Sequence, residues 1–145
     1  MMRIGHGIDV HAFDENRRLI LGGVRISERG GLAGHSDADA VLHAIVDAIL
    51  GATGSGDIGQ HFPSDDERWK NADSSIFIGE ARRILARMEA EIANVDVTIV
   101  AQRPKLAPIQ LSEKDHAHVR LSEVFLIAVR NDVLSQHDHC VLHAG

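Results

Sequence analysis

The sequence has no tyrosine, one tryptophan and one cysteine among its 145 residues. A lone thiol, Cys140, leaves no partner for an intrachain disulfide, and cysteine this sparse fits a reducing, cytoplasmic setting. A basic excess is missing too: 15 Lys and Arg stand against 21 Asp and Glu, a formal net charge of −6. That excludes the basic footprint on which non-specific nucleic-acid binding depends. It leaves room for an anionic small substrate, because a bound metal inverts the local field. No segment approaches the roughly 20 apolar residues of a membrane span. Met1-Met2-Arg3 runs into Ile4-Gly5-His6 with no apolar stretch of signal-peptide length. The expectation is a cytoplasmic protein with neither nucleic-acid nor membrane partners. The last absence is positional. Of 13 glycines none lies between residues 80 and 144, and residues 109–145 hold no threonine.

What is present is ordinary in bulk: 44% hydrophobic and 25% charged residues, as in soluble globular proteins. A chain of this length reads as a single domain, 1–145, burying about two-thirds of its unfolded surface. Residues 3–11 alternate, with Ile4, His6, Ile8 and Val10 on one side and Gly5, Gly7, Asp9 and His11 on the other. That predicts a strand with a bare, polar face. Residues 19–26 predict a second strand, broken by a Gly22-Gly23 bulge or turn. After a glycine-rich loop, Ser36 and Asp39 resemble a capping box. Val41, Leu42, Ile45, Val46, Ile49 and Leu50 then recur at helical spacing, and Gly51 stands where the helix would end. Residues 53–71 read as a long irregular loop, of the kind that is usually functional or disordered. A second helix is expected from about Ser74 to Glu91 and a strand over Val95–Ala101, stopped at Pro104. Beyond Ile109 the pattern weakens. Leu111–Glu123 reads as helical, and Val124–Val129 as strand or helix.

The sharpest chemical constellation is Asp9, His11 and His43. Asp9 and His11, two apart on a strand, project from one face. Two imidazoles and a carboxylate form a common three-ligand zinc set with a fourth position open. Asp39 and Asp47 flank His43 at four residues on either side, so Asp47 is placed to accept the second imidazole N–H. On spacing alone the plainer alternative leads, a polar strand edge and a helix histidine paired with its i±4 neighbours.

Longer matches bear on that choice. They are Arg3-Ile4-Gly5-His6-Gly7-Ile8-Asp9-Val10-His11, Leu21-Gly22-Gly23-Val24, His35-Ser36-Asp37-Ala38-Asp39 and Leu42-His43-Ala44. They continue with Gly56-Asp57-Ile58-Gly59, Phe62-Pro63, Lys70, Ala72-Asp73-Ser74, Asn94-Val95-Asp96 and Ala101-Gln102-Arg103-Pro104-Lys105-Leu106. In this order, from residue 3 to about 108, they resemble the 2-C-methyl-D-erythritol 2,4-cyclodiphosphate synthase family of the non-mevalonate isoprenoid pathway.

The resemblance implies an α/β (α+β) fold, a small sandwich with a mixed sheet and helices on one face, assembling as a homotrimer with active sites between subunits. It implies Asp9, His11 and His43 as ligands of a zinc or similar divalent ion. It makes His35 and Ser36 the pair at the substrate's 2-phosphate and diphosphate. Asp57, Ile58 and Gly59 correspond to the loop holding the methylerythritol hydroxyls. Ala101, Pro104, Lys105 and Leu106 correspond to a cytidine pocket supplied by the neighbouring subunit. The implied substrate is 4-diphosphocytidyl-2-C-methyl-D-erythritol 2-phosphate. Its 2-phosphate attacks its own β-phosphorus, closing the 2,4-cyclodiphosphate and expelling cytidine monophosphate. Such a reaction needs positioning and charge neutralisation rather than a protein nucleophile. Metal, the N–H groups opening the helix after Ser36, and close substrate approach over Gly5 and Gly7 would supply them.

The resemblance ends after Pro108. The family's Lys-Ala-Thr-Thr-Thr-Glu-type motif, whose glutamate helps hold a second ion (Mg2+ or Mn2+), has no counterpart. Neither has its glycine-rich closing segment, whose residues line a trimer cavity for isoprenoid diphosphates. Ser64 stands where many relatives have aspartate. The tail reads as a shifted frame or altered gene end, as a diverged but folded segment, or as a metal-binding tail built on His137, His139, Cys140 and His143. For this last cluster the plainer reading is a solvated or frayed terminus. Two functional alternatives follow: a catalytically impaired family member that still binds metal and nucleotide, and a non-enzymatic metal-binding protein.

Overall fold

The computed structural model describes residues 1–101, 103 and 104, and the strand at 126–130. The predicted helix Leu111–Glu123, the histidine tail, Lys105 and Leu106 lie outside the described residues. Elements follow in the order β1 (Met2–Gly5), β2 (Phe13–Asp14), β3 (Leu19–Leu21), β4 (Val24–Ser27), β5 (Gly31–Leu32), α1 (Ala40–Thr53), α2 (Ile58–His61), a 3-10 turn (Glu67–Trp69), α3 (Ser75–Arg87), β6 (Glu91–Asp96) and β7 (Leu126–Arg130). This is a small mixed α+β fold. β7 runs between β1 and β6 and pairs antiparallel with both, so Met2 faces Arg130 and Asp96 faces Leu126. The apolar run near 124–129, open between strand and helix from sequence, is therefore a strand at its core. The expected mixed sheet is not seen among the described residues, because every pairing there is antiparallel.

The core lies where α1 and α3 pack on each other and α1 lies along β1 and β7. It is built from Leu19, Leu21, Val41, Val46, Ile49, Leu50, Phe77, Ala81, Ile84, Leu85 and Val95. Phe62 and Trp69 close its end against Phe77, with ring centroids 4.5 Å (Phe62–Phe77) and 5.0 Å (Phe62–Trp69) apart.

Several boundaries differ from the sequence expectation, each for a visible reason. β1 stops at Gly5, not at residue 11. Its bare face meets a helix, not a substrate. A Cβ on Gly5 would stand 1.8 Å from the Ala48 carbonyl oxygen, and one on Gly7 2.0 Å from that of Ala44. The apolar side is the outer one: Ile4, Ile8 and Val10 are 62%, 63% and 83% exposed. Helix α1 is capped by Asp39, not Ser36. The Asp39 carboxylate accepts the N–H groups of Val41 and Leu42, both at 3.1 Å. Gly51 sits inside α1, which ends on Gly54 at φ +67°, a left-handed cap that glycine adopts freely. Gly22 and Gly23, at φ +63° and +78°, make the tight turn joining β3 to β4. α3 ends at Arg87 and the next strand comes early, so Glu91–Asp96, not 95–101, is the strand. The long loop holds α2 and the 3-10 turn.

Candidate active site

Two segments supply one cluster. The extended chain after β1 carries Asp9 and His11, and the first turn of α1 carries His43. The glycine contacts bring the two segments close enough to touch. Asp9 Oδ2 lies 2.8 Å from His11 Nε2 and 2.9 Å from His43 Nδ1. One ligand atom from each residue falls within 4.8 Å of the others. The hydrogen bonds from both imidazoles outweigh burial and hold the Asp9 carboxyl well below the usual carboxylate range. The hydrogen bond to Asp9 raises His11 above the usual imidazole value, against the effect of burial.

This donor set fits a divalent cation. The Ala33 carbonyl, which can only accept, lies 2.5 Å from His11 Nδ1 and so takes its N–H. A neutral His11 then turns the lone pair of Nε2 toward the Asp9 carboxylate. Electron-rich atoms that close need a proton or a cation between them, and two imidazoles with a carboxylate suit zinc.

The supporting contacts differ from those the spacing suggested. Asp47 does not serve His43; its Oδ1 accepts the N–H of Ile58 at 2.7 Å. Burial raises its carboxyl pKa, against the hydrogen bond from Ile58. Asp39 does not serve His43 either. Fully buried, it accepts the N–H groups of Gly22 at 2.8 Å and Gly23 at 2.6 Å besides capping α1. The N–H groups of Val41 and Leu42 are therefore engaged by Asp39, so this opening turn of α1 is not a free phosphate cradle. His43 Nε2 instead meets Ser36 Oγ at 3.1 Å and Ser74 Oγ at 2.9 Å.

Among the other residues singled out, Ser36 is 5% exposed and joins the cluster through that contact. His35 lies beside it, its Nε2 3.1 Å from the Asp66 carbonyl. Asp57 is the exposed N-cap of α2 and accepts the backbone N–H of Gln60 at 2.9 Å and its side-chain amide at 2.6 Å. Ala101 and Pro104 line a cavity of about 590 Å³ together with Asp9, His11, Phe13 and Arg103. Sequence reasoning missed three contributors. Arg17 ties together the carbonyls of Gly34 and Ser36, Ser74 meets His43, and Asp37 holds Ser74. Arg17 carried no sequence signal. Ser74 did, as a serine at a helix start, but for a cap it does not make.

A family model described as the YgbB family matches residues 2–132. The chain belongs to the YgbB family. A relative named 2-C-methyl-D-erythritol 2,4-cyclodiphosphate synthase, from Geobacillus sp. strain WCH70, is 48% identical over 131 residues, covering 90% of this chain and 83% of its own. One of the same name from Geotalea uraniireducens is 60% identical over 107 residues, 74% of this chain and 68% of its own. The family match runs on to residue 132, past Pro108 where the sequence reading ended it, although the longer alignment has the lower identity. A solved 2C-methyl-D-erythritol-2,4-cyclodiphosphate synthase in a CDP-bound form superposes at a TM-score of 0.69 with 34% identity, covering 88% of this chain and 97% of that one.

Proposed function

We infer that this YgbB-family chain catalyses the reaction of its relatives: cyclisation of 4-diphosphocytidyl-2-C-methyl-D-erythritol 2-phosphate to 2-C-methyl-D-erythritol 2,4-cyclodiphosphate, with release of CMP. The carrying observation is the identity to named synthases across 90% of the chain, in a fold that brings Asp9, His11 and His43 together.

Asp9, His11 and His43 would hold zinc, which when bound supplies a Lewis acid for a diphosphate oxygen. Ser36 would donate to a phosphate. Its Oγ accepts the Ala38 N–H at 3.2 Å and stands beside His43, and its own proton is left to give. His35, braced by Asp66, would flank the same phosphate. Asp57, Ile58 and Gly59 would hold the methylerythritol hydroxyls, with Asp47 fixing their loop to α1. Ala101 and Pro104 support a nucleotide subsite extended by Lys105 and Leu106, in line with the CDP-bound relative. Homotrimer assembly is part of the proposal. Exposed Ile4, Ile8, Val10 and Val100 offer an apolar face that a second copy would cover.

The test is release of CMP by the purified protein with substrate, Zn2+ and Mg2+. Release above that of His43→Ala supports the reading, and release equal to it overturns it. A second reading, an impaired enzyme, is favoured by one observation: residues 109–145 contain no threonine to serve as phosphate ligands. It predicts one zinc per chain with turnover orders of magnitude below that of a relative, each ~1.4 kcal/mol of lost stabilisation being tenfold in rate.

A further inference from the structure

Ser74 is fully buried and stands at the N-cap of α3, yet its hydroxyl caps nothing in that helix. Serine at this position ordinarily bonds the second or third N–H of the helix. Here the side chain turns the other way. Its Oγ meets His43 Nε2 at 2.9 Å and an oxygen of Asp37 on the far side. The second Asp37 oxygen accepts the Ser74 backbone N–H at 3.1 Å, so the carboxylate grips both polar groups of that residue.

With a cation between Asp9 and His43, the proton inventory of this chain has one solution. A carboxylate only accepts, so the single hydroxyl proton of Ser74 goes to Asp37. Ser74 Oγ is then an acceptor toward His43, and Nε2 must be the nitrogen that carries hydrogen. That leaves Nδ1, the atom 2.9 Å from Asp9, with a free lone pair in the metal-ligand cluster. We propose that Asp37 and Ser74 are positioning residues that hold His43 in its Nε2–H tautomer, presenting Nδ1 to the metal. The inference rests on the metal reading above. Outer partners of this kind fix both ring orientation and ligand basicity. Ser36, 3.1 Å from the same nitrogen, can share the N–H without altering the assignment, since it too accepts there.

Asp37→Asn inverts the chain. The amide N–H donates to Ser74 Oγ, the Ser74 proton turns to Nε2, and the hydrogen of His43 is driven to Nδ1. The experiment compares parent, Asp37→Asn and Ser74→Ala. Zinc affinity is measured by chelator competition, and the His43 Nε2–H resonance of the zinc-loaded protein by NMR. The parent is expected to show a slowly exchanging Nε2–H with a through-space contact to the Ser74 methylene. Asp37→Asn should lose that signal and bind zinc about 10–100-fold more weakly, the usual cost of losing such a partner. Ser74→Ala should also weaken zinc and speed exchange, and it carries the test if Asp37→Asn does not fold. Parent zinc affinity in the folded variants, or a parent His43 protonated on Nδ1, overturns the positioning role alone. A parent that binds no zinc overturns the metal site and this inference with it.

Discussion

Replacing Gly7 by alanine tests how the proposed metal-ligand cluster is assembled. The new Cβ would lie 2.0 Å from the Ala44 carbonyl oxygen and 2.9 Å from the Ala48 nitrogen, where ordinary contact begins at 3.4 Å. Both neighbours are backbone of α1, so no rotamer change relieves the clash. The strand segment and the helix must separate by an ångström or more. Overpacking of this kind costs about 1–3 kcal/mol, and a backbone obstacle puts this site at the upper end. For a chain of this size that corresponds to a melting point roughly 10 °C lower. The effect on metal should be larger than the effect on stability. Gly7 lies two residues before Asp9, and Ala44 directly follows His43, so the movement pulls opposing ligands apart. Metal–ligand distances tolerate about 0.2 Å. Zinc affinity, measured by competition with a chromogenic chelator, should therefore fall by at least the roughly 100-fold that loss of a supporting partner can cost. Gly51→Ala is the control, in the same helix with nothing nearer than His6 oxygen at 4.0 Å. It should gain up to about 1 kcal/mol and keep its zinc. Parent-like zinc affinity and stability in Gly7→Ala would refute the claim that glycine contact sets the ligand geometry.

Three further outcomes follow from individual contacts. Gly79→Ala, on α3 with open space around its Cβ, should raise the urea midpoint by the equivalent of about 0.5–1 kcal/mol; destabilisation there would mean that the helix surface is covered. Asp39→Asn removes an acceptor from the Gly22–Gly23 turn and should destabilise the fold by about 1–3 kcal/mol. Burial raises the Asp39 carboxyl above its ordinary 3.8, against hydrogen bonds from Gly23, Leu42 and Gly22. Its contribution is thus fullest below the unfolded pKa and declines as pH rises through the folded one. The gap between parent and Asp39→Asn, measured in urea, should be wider near pH 4 than at pH 7, and a gap that narrows in acid would count against it. Asp47→Ala frees the Ile58 N–H and should raise KM for the diphosphocytidyl substrate more than it lowers kcat; an unchanged KM would separate Asp47 from the substrate loop.

The sequence made the proposed ligands legible and left the scaffold around them obscure. Asp9 and His11 were visible as a pair two apart, and His43 as a histidine on an apolar helix. Their meeting was not visible, because it depends on the Gly5 and Gly7 contacts with α1. Alternation at residues 3–11 is real, but its bare side meets α1 and is not open to ligand at Gly5 and Gly7. Glycine leaves room for whatever comes closest, and a single chain does not say whether that is substrate or helix. The same ambiguity misplaced the cap. Ser36 and Asp39 both suit an N-cap by composition, and the choice fell to Asp39 because the Gly22–Gly23 turn needed a carboxylate from the same place. The strand at 126–130 was half legible. A short apolar run fits strand or helix alike, and only its partners β1 and β6 decide.

Asp39, His43 and Asp47 show why spacing alone pointed the wrong way about support. At intervals of four they lie along one face of α1, each about 6 Å from the next. The i±4 rule pairs them with one another, which is what an isolated helix would do. In the folded chain each is claimed by a different segment: Asp39 by the β3–β4 turn, His43 by the Asp9–His11 segment and by Ser74 at the head of α3, Asp47 by Ile58 ahead of α2. The helix face therefore acts as a ruler that fixes the hairpin, the proposed metal ligands and the proposed substrate loop at set separations. Such an arrangement tolerates exposed changes on the far side of α1 and does not tolerate a change of phase. One residue inserted between His43 and Asp47 would rotate everything after it by about 100°. The substrate loop would come away from the ligand cluster, and Ile49, Leu50 and the Ala48 backbone that meets Gly5 would turn away from their partners with it. Zinc and the diphosphocytidyl substrate should then be lost together, along with the cooperative unfolding transition.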